Sequence, residues 1–322
     1  MASEPALKDQ TLDHPAELKG RLARAWDSDL AYRFRHSPVT IVAAAVALLI
    51  IVASVLAPLV APHDPFNPAT LNLMDGFTPP MEPNAFTGNT YWLGTDNQGR
   101  DVFSAILYGS RISLLVGFAS VLFAAVLGVS LGLIAGFRGG WLDTLIMRVA
   151  DVQLSFPSIL IALLIFGVAR GFLPPQYHET MAIYVLILSI GLSDWVQYAR
   201  TVRGATLVER NKEYVLAARV IGVPPRRILV GHILPNVMGP VLVIATIGLA
   251  LAIIAEATLS YLGVGVPPTQ PSLGTLIRIG QDFLFSGEWW IILFPALTLL
   301  ALALSVNLLG DWLRDALNPR LK

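Results

Sequence analysis

Two carboxylates, Asp194 and Glu256, lie within long apolar stretches of the sequence. A charged group at the centre of a bilayer costs roughly 2.5–3.5 kcal/mol on insertion scales, so it is kept where it meets a solute, an ion or an opposite charge. Asp194 lies near the inner end of its stretch, where water or pairing with Arg200 or Arg203 would stabilise it. We favour such a structural role for Asp194 and keep contact with a solute or an ion as the alternative.

Glu256 and Asn307 present the same choice in two later stretches. Glu256 lies near the outer end of its stretch and can either contact a solute or pair with Arg278. Asn307 is better explained by a hydrogen bond between helices than by ligand binding, because polar side chains in membrane helices often bond across helices. Structural pairing is favoured for Glu256 as well. The possible residues of a translocation path are Asp194, Glu256 and Asn307.

No pattern of residues indicates a metal site. The five histidines are scattered, with no pair at the i, i+4 spacing that places two imidazoles on one helix face. Asp96 and Asp101 would suit a calcium loop only with oxygen ligands at alternate positions, and Gln98 and Arg100 interrupt that alternation. We instead predict a turn over Thr95–Gly99. A short interfacial helix is expected next, with an apolar face made of Val102, Phe103, Ile106 and Leu107.

The composition indicates a membrane protein. Of 322 residues, 55% are hydrophobic and 14% are charged, whereas a soluble domain carries about 25% charged residues. A formal net charge of zero provides no basic excess for nucleic acid, and the lack of cysteine excludes disulfides and thiolate chemistry. The sequence also lacks a G-x-x-x-x-G-K-[ST] phosphate loop and the motifs G-x-S-x-G and H-E-x-x-H. We therefore predict a chain that is not an enzyme and binds no cofactor or metal itself.

Six apolar segments are candidates for membrane-spanning helices, since about 20 residues cross a bilayer. They are Val39–Ala61, Ile112–Phe137, Phe156–Val168, Met181–Tyr198, Val237–Leu262 and Trp289–Leu309. The third is short, and we expect it to begin earlier, within Leu145–Leu154. The first follows a polar leader that is too long for a signal peptide, so we predict a retained helix. Trp289 and Trp290 are expected at the outer interface, where amphipathic rings settle.

Lysine and arginine mark the inner side of a membrane. If the N-terminus is inside, both termini are cytoplasmic, and the basic residues left outside are only Arg100, Arg111, Arg170 and Arg278, of 22 in all. The predicted units are a cytoplasmic tail (1–37), a first helix (38–61), an extracytoplasmic loop (62–110), a five-helix core (111–310) and a cytoplasmic tail (311–322). Membrane lipid surrounds the core. A second outer loop is expected over Gly263–Glu288, and the large inner loop covers 200–234.

The inner loop carries an ordered pattern of small residues, prolines and arginines. We predict a helix over Thr206–Ile221 that ends at Gly222 in the left-handed conformation, which glycine adopts without strain. The pair Pro224–Pro225 then starts another helical turn, where a missing N–H costs nothing. The pair Ala217–Ala218 offers a small surface that another backbone can approach. Its charged rim consists of Arg219, Arg226 and Arg227. An ordinary positive-inside loop would explain the arginines but not this order, so the residues alone leave both readings open.

This loop resembles the cytoplasmic motif of permease subunits of ABC-type importers: Glu-Ala-Ala, three residues, Gly, nine residues, Ile-x-Leu-Pro. Leu216 replaces the Glu of that motif and His232 replaces its Ile, while Glu213 lies one helical turn before Leu216. In that family the loop forms a coupling helix that sits in a groove of the ATPase subunit. The resemblance thus implies that the coupling residues are Glu213, Ala217, Ala218, Arg219, Gly222, Arg226, Leu234 and Pro235.

Three further segments extend the resemblance to about Pro38–Pro319 and narrow it to the dipeptide/oligopeptide permeases of the DppC/OppC type. They are Leu93–Leu114, Phe137–Pro157 and Glu256–Pro268. The resemblance implies an all-α, MetI-like core in the bacterial inner membrane that carries peptides or related small solutes. It also implies three kinds of partner: a homologous permease subunit (DppB/OppB-like), two cytoplasmic ATPase subunits that hold ATP-Mg, and an extracytoplasmic solute-binding protein. The alternative is a secondary, ion-coupled transporter, for which the sequence offers no buried ionisable relay or inverted repeat.

Overall fold

The computed structural model describes residues 29–67 and 71–317, and this part of the chain is almost entirely α-helical. In chain order the helices are α1 (Asp29–Arg35), α2 (Pro38–Val55), α3 (Ala57–Val60), α4 (Val102–Arg138), α5 (Gly140–Leu154), α6 (Ser158–Phe172), α7 (His178–Glu209), α8 (Glu213–Val220), α9 (Pro225–Ile228), α10 (Leu234–Tyr261), α11 (Leu273–Gln281) and α12 (Trp290–Leu317). Most of the predicted N-terminal tail and the end of the predicted C-terminal tail lie outside the described residues.

The long helices account for the predicted membrane spans. Among the described residues, five helices are long and apolar enough to cross a membrane, and the bent pair α5 and α6 can supply a sixth span. No β-strand occurs in residues 29–67 or 71–317, where the extended pairing is limited to two isolated bridges between α3 and α4. The names inner and outer are kept below from the predicted orientation. The prediction of an all-α protein with about six spans is confirmed. The first predicted span, Val39–Ala61, is covered by α2 and α3, which meet at Leu56.

Helix α4 begins ten residues before the predicted second span, and this overturns the short interfacial helix. Asp101 caps α4, because its Oδ2 accepts a hydrogen bond from the Ser104 N–H over 2.9 Å. The residues assigned to an interfacial face, such as Val102 and Ile106, are instead buried in the first turns of α4. They are covered because α11 and α12 pack against this end of the helix. The irregular outer segment therefore ends at Asp101.

The third span does not extend back through Leu145–Leu154 as a straight helix. Helix α6 begins at Ser158, and the preceding helix α5 meets it at an angle of 100°. Pro157 accounts for the break, since proline lacks a backbone N–H and disfavours helical geometry at the residue before it. The sequence did not predict this bend, and the earlier start of the third span stays a prediction that holds if the bent pair forms one span. Helix α5 forms a separate arm that packs on α4 and α7.

Helices α4 and α7 form the most extensive contact in the described part of the chain. Gly128, Gly132 and Gly136 recur every fourth residue along the face of α4 that meets α7. A Cβ atom on Gly128 would lie 2.4 Å from the carbonyl oxygen of Trp195, so only glycine permits this approach of the two backbones. This close packing fixes the distance between α7 and α4 and the face of α7 that meets α4. Helix α7 carries Asp194.

The outer segments are more ordered than the sequence indicated. The predicted outer loop Gly263–Glu288 contains the nine-residue helix α11, whose residues Leu273 and Leu276 are buried. Trp290 is also buried, and its Nε1–H donates to the Thr95 carbonyl over 3.0 Å, so it ties α12 to the first outer segment rather than lying at the lipid interface. In that segment burial and the nearby Asp75 raise the pKa of the Tyr91 phenol to about 12. Both outer segments therefore pack over the helices as a folded cap.

Candidate functional site

A non-helical break at 210–212 separates α7 from the next helix of the inner loop, so the predicted single helix over Thr206–Ile221 was wrong. Helix α7 ends at Glu209 and α8 starts at Glu213. Two contacts hold the break in place. The Lys212 ammonium lies 2.6 Å from the Glu209 carboxylate, and an Arg210 guanidinium N–H donates to the Gly136 carbonyl over 2.8 Å. Helix α8 is thereby set at a fixed position relative to α7 and α4.

The end of α8 has the geometry expected from Gly222. Gly222 has φ +81°, its N–H donates to the Arg219 carbonyl over 3.1 Å, and the Val223 N–H donates to the Ala218 carbonyl over 3.0 Å. These two bonds make a Schellman motif, which closes a helix around a left-handed residue. Pro225 occupies the first position of α9, as predicted. A π-helical turn over Leu229–Ile233 then connects α9 to α10.

Helix α8 has one buried face and one exposed apolar face. Val215 and Ala218 are buried against residues of α9 and α10 such as Ile228 and Val237. The opposite side carries apolar side chains that are largely exposed, with Val220 at 86% and Ile221 at 79% of full accessibility. We call this side the inner docking surface, and it consists of Leu216, Ala217, Val220 and Ile221. Ala218, at 5% exposure, packs inward and is not part of the exposed surface that the sequence predicted for the pair Ala217–Ala218.

Charged and polar residues surround the inner docking surface. Glu213, Arg226 and Pro235 are exposed, while Leu234 is half-buried. The Arg219 guanidinium lies 5.3 Å from the centre of the Phe137 ring, within cation–π range. Arg226 also borders a groove of about 240 Å³ between the loop and the inner end of α4. The groove is lined by Ile134, Phe137, Arg138, Pro225, Arg226 and Leu229.

Tyr214 is a contact of this loop that the sequence did not single out. Its hydroxyl donates to the Glu209 carboxylate and accepts a hydrogen bond from the Asn236 amide over 3.2 Å. Burial and the neighbouring Glu209 raise the pKa of the Tyr214 phenol to about 12, so the hydroxyl keeps its proton at neutral pH. One side chain thus joins α8 to the end of α7 and the start of α10. Asn236 is 22 residues from Tyr214 in the sequence, so no local pattern predicts this contact.

A second candidate site is a cavity of about 350 Å³ within the helix bundle. It lies between α4, α6, α7 and α10, and we call it the membrane cavity. Its lining residues are Val121, Ala124, Ser158, Ile159, Ala162, Ser193, Asp194, Gln197, Tyr198, Gly248, Leu251, Ile254, Ala255 and Thr258. Among the three path residues proposed from the sequence, only Asp194 lines it.

Asp194 has no cationic partner among the described residues. It lies halfway along α7, which continues to Glu209. The two arginines expected to neutralise it are paired elsewhere. Arg203 donates to the Asp143 carboxylate over 2.7 Å, and Arg200 pairs with Asp151. Within residues 29–67 and 71–317, the Asp194 carboxylate has only the Ser193 hydroxyl as a partner, at 3.3 Å.

Tyr198 provides the second polar group of the membrane cavity. It follows Asp194 by four residues, which places both side chains on one face of α7. Its side chain is 2% exposed, and its hydroxyl is buried with no hydrogen-bond partner in the described structure. A Cβ on Gly248 of α10 would lie 2.7 Å from this hydroxyl, so the glycine makes room for it. The i, i+4 spacing from Asp194 was the available signal in the sequence.

Glu256 and Asn307 lie away from the membrane cavity. The Glu256 carboxylate is fully buried and accepts hydrogen bonds from the hydroxyls of Ser113 and Ser260, each over 2.7 Å. The expected pairing with Arg278 is not formed. Asn307 is half-buried on α12 and makes no side-chain hydrogen bond within the described residues, so the expected interhelical bond is not formed either. Glu256 joins α4 to α10 and serves the packing of the bundle.

Comparison with known proteins covers nearly the whole chain. Residues 128–322 match the family described as binding-protein-dependent transport system inner membrane component, and residues 23–80 match the N-terminal transmembrane domain of oligopeptide transport permease C. The chain is 38% identical to the dipeptide transport system permease protein DppC of Haemophilus influenzae, covering 85% of this chain and 88% of the relative. It is 36% identical to the di/tripeptide transport system permease protein DppC of Pseudomonas aeruginosa, covering 100% and 98%.

Two further similarities concern sequence and fold. The oligopeptide transport system permease protein OppC of Bacillus subtilis is 37% identical over 91% of this chain and 90% of its own length. Among solved structures, an inward-facing form of the MetNI methionine ABC transporter matches with a TM-score of 0.52 and 20% identity, covering 66% of this chain and 96% of that chain. At that identity the structural match shows a shared fold, in agreement with the expected MetI-like core.

Proposed function

The chain belongs to the binding-protein-dependent transport system inner membrane component family, and on that premise we propose that it forms one half of the translocation path of an ATP-driven peptide importer. It is a multi-pass inner-membrane permease subunit. Peptides are the proposed cargo because the relatives carry the names of dipeptide, di/tripeptide and oligopeptide permeases. The secondary transporter considered from the sequence has no support among the comparisons.

The proposed assembly contains three further kinds of subunit, which supply the second half of the path, ATP hydrolysis and delivery of the solute. A homologous permease subunit forms the other half of the path, two cytoplasmic ATPase subunits hold ATP-Mg, and an extracytoplasmic solute-binding protein delivers the solute. The coupling residues expected from the sequence keep that role except for Ala218, and three exposed apolar residues, Leu216, Val220 and Ile221, are added to them. Leu216, Ala217, Val220 and Ile221 make the contact, while Ala218 holds α8 in the orientation that presents them.

The inner docking surface is the observation that carries the coupling proposal. Full burial of a valine, leucine or isoleucine side chain contributes about 1.5–3 kcal/mol, and a contiguous exposed apolar patch marks a site of interaction. Val220 and Ile221 stand almost free of the rest of the chain. The charges of Arg219 and Arg226 at the rim would fix the register of the contact.

The proposed mechanism transmits movement through fixed contacts. A partner that shifts α8 acts on α7 through the Lys212–Glu209 ion pair and on α10 through Tyr214 and Asn236. Both helices line the membrane cavity. ATP binding in the partner biases this movement only by having different interaction energies with the inward-facing and outward-facing states. The cavity would then open alternately to the two sides of the membrane.

Weakening the inner docking surface tests the coupling proposal. Replacing Val220 and Ile221 together by serine removes two apolar side chains that a partner would bury, so we expect recovery of the ATPase subunits with the purified chain to fall by about tenfold or more. The matched control is Val208→Ser, since Val208 is 64% exposed near the end of α7 but lies outside the docking surface. Equal recovery for the double variant and the control would reject this surface as the contact.

Orientation requires a separate experiment. The chain has no cysteine, so single cysteines can be labelled without background. We propose that both termini are cytoplasmic, and therefore expect Phe86→Cys in the first outer segment to react with an impermeant maleimide added outside. Asn211→Cys at the break before α8 should react only after the membrane is opened. The opposite pattern would invert the proposed topology.

A further inference from the structure

The membrane cavity holds a carboxylate without a counter-ion beside a hydroxyl without a hydrogen-bond partner. The structure therefore assigns to it a ligand that supplies both, and we propose that the cavity binds the ammonium group of the transported solute, with Asp194 as its counter-ion and the Tyr198 oxygen as an acceptor. This inference rests on the proposed function, because it takes the cavity to lie on the translocation path. For a peptide, the group would be its amino terminus.

The charges around the cavity favour a cation. Among the residues that the structure describes, no lysine or arginine lines it, and the nearest arginines along α7, Arg200 and Arg203, are engaged by Asp151 and Asp143. The N-terminus of α6 reaches the cavity at Ser158 and carries the partial positive charge of a helix start. That charge is about half a unit, so the full negative charge of Asp194 determines the sign of the site.

The hydrogen-bonding groups fit an ammonium group. An ammonium group donates up to three hydrogen bonds and accepts none, so it needs a cluster of acceptors. Asp194 and Tyr198 lie on one face of α7, and the hydroxyl-bearing residues Ser158, Ser193 and Thr258 line the same cavity. The Tyr198 hydroxyl is buried and has no partner within the described chain, so its lone pairs are not used by another protein group.

The size and the remaining lining suit a small amphipathic solute. A cavity of about 350 Å³ is near the lower end of the range of ligand sites, which extends over about 300–1,000 Å³. Its other walls are aliphatic, from residues such as Ile159, Leu251 and Ile254. The cavity therefore combines one anionic corner with apolar surface, which can hold the amino end of a short peptide and one side chain.

Thiol labelling tests the sign of the site without relying on transport. In the otherwise cysteine-free chain, Thr258→Cys places one thiol in the cavity lining. The full chain, with the subunits that purify with it, would be treated in lipid nanodiscs with cationic 2-aminoethyl methanethiosulfonate or anionic 2-sulfonatoethyl methanethiosulfonate. Rates are compared with those for a free thiol, which corrects for intrinsic reactivity. We expect about a tenfold preference for the cationic reagent, because a nearby carboxylate concentrates cations.

The assignment to Asp194 is tested by two variants in the same background. Asp194→Asn should abolish the preference for the cationic reagent, whereas Asp194→Glu should keep it. A preference that survives Asp194→Asn, no preference in the parent, or a thiol that neither reagent reaches would each overturn the proposal. Absence of ATP-driven peptide uptake by the assembled parent transporter, with the charge preference intact, would instead count against the proposed function.

Protection of the cysteine by peptides tests whether the ligand is an ammonium group. Trialanine at millimolar concentration should slow modification of the cysteine at position 258 by the cationic reagent, and N-acetyltrialanine, which lacks the ammonium group, should not. The protection should be lost in the Asp194→Asn background. Equal protection by both peptides, or protection by neither, would overturn the assignment of an ammonium ligand.

Discussion

The backbone N–H of Val223 donates to the carbonyl oxygen of Ala218 over 3.0 Å. This bond joins the chain beyond the left-handed turn to the residue that anchors α8 in the core. Because Ala218 is buried and Val220 is exposed, the turn fixes which side of α8 faces outward. The inner docking surface is therefore presented by a closed turn, and its orientation depends on the conformation of one residue, Gly222.

Gly222→Val should uncouple ATP hydrolysis from uptake. Gly222 has φ +81° and open space around its Cα, so a valine side chain fits sterically but the backbone conformation costs about 1–3 kcal/mol. We expect normal membrane insertion, continued ATP hydrolysis by the assembled transporter, and a large fall in peptide uptake per ATP. Both rates would be measured in reconstituted vesicles. Gly204→Val is the matched control, because Gly204 also has open space but lies within helix α7. If both variants keep the parental ratio of uptake to hydrolysis, the turn has no part in coupling.

Ala217→Leu and Ala218→Leu should have opposite effects although the residues are adjacent. Ala217 is exposed on the inner docking surface, so a larger side chain should leave thermal unfolding unchanged and reduce association with the ATPase subunits. Ala218 is buried, so overpacking should destabilise the chain by about 1–3 kcal/mol. Unfolding midpoints of the purified chain and recovery of the ATPase subunits separate the two effects. A lower midpoint for Ala217→Leu would show that our assignment of the two faces is wrong.

The fold was largely predictable from the length of the apolar segments, and the deviations have local causes. Two helices meet at 100° because Pro157 interrupts an apolar run that composition alone would join. Helix α11 was assigned to a loop because it is short and follows several prolines. Its burial comes from packing under α12, which no pattern within Leu273–Gln281 specifies. Length predicts a span, whereas tertiary contacts determine where it bends and what covers it.

The candidate sites also combine residues that the sequence predicts with contacts that depend on tertiary structure. Gly222 and Pro225 were found from the sequence because a left-handed turn and a helix start depend on the residue itself. The lack of a cationic partner for Asp194 could not be predicted, because Arg200 and Arg203 are engaged by Asp151 and Asp143, whose positions depend on how α5 packs against α7. Tyr198 resembles a core tyrosine in sequence, and only the cavity and the space left by Gly248 show that its hydroxyl is unpartnered.

Glu256→Ala should destabilise the bundle while sparing the membrane cavity. It would leave the buried hydroxyls of Ser113 and Ser260 without their acceptor and open a void, at a cost of about 2–5 kcal/mol. Glu256→Gln keeps the shape and one acceptor, so it should cost less. Thermal unfolding in detergent measures both changes. Because Glu256 does not line the membrane cavity, the properly folded fraction should transport at the parental rate. A selective loss of transport by Glu256→Gln at parental stability would restore this residue to the translocation path.

The ion pair between Arg203 and Asp143 should stabilise the contact of α5 with α7 more than the neighbouring pair of Arg200 and Asp151. Side-chain exposure is 33% and 17% for the first pair, against 48% and 53% for the second. Water screens exposed pairs, which contribute about 0–1 kcal/mol, whereas the first pair makes two bonds from one guanidinium in a more enclosed position. Alanine double-mutant cycles on both pairs, followed by thermal unfolding, should give a coupling of about 1–2 kcal/mol for Arg203–Asp143 and a smaller value for Arg200–Asp151. The two pairs join the same helices, so each controls for the other. Equal couplings would mean that burial does not decide the strength of this contact, and that the arm formed by α5 is held mainly by its apolar packing.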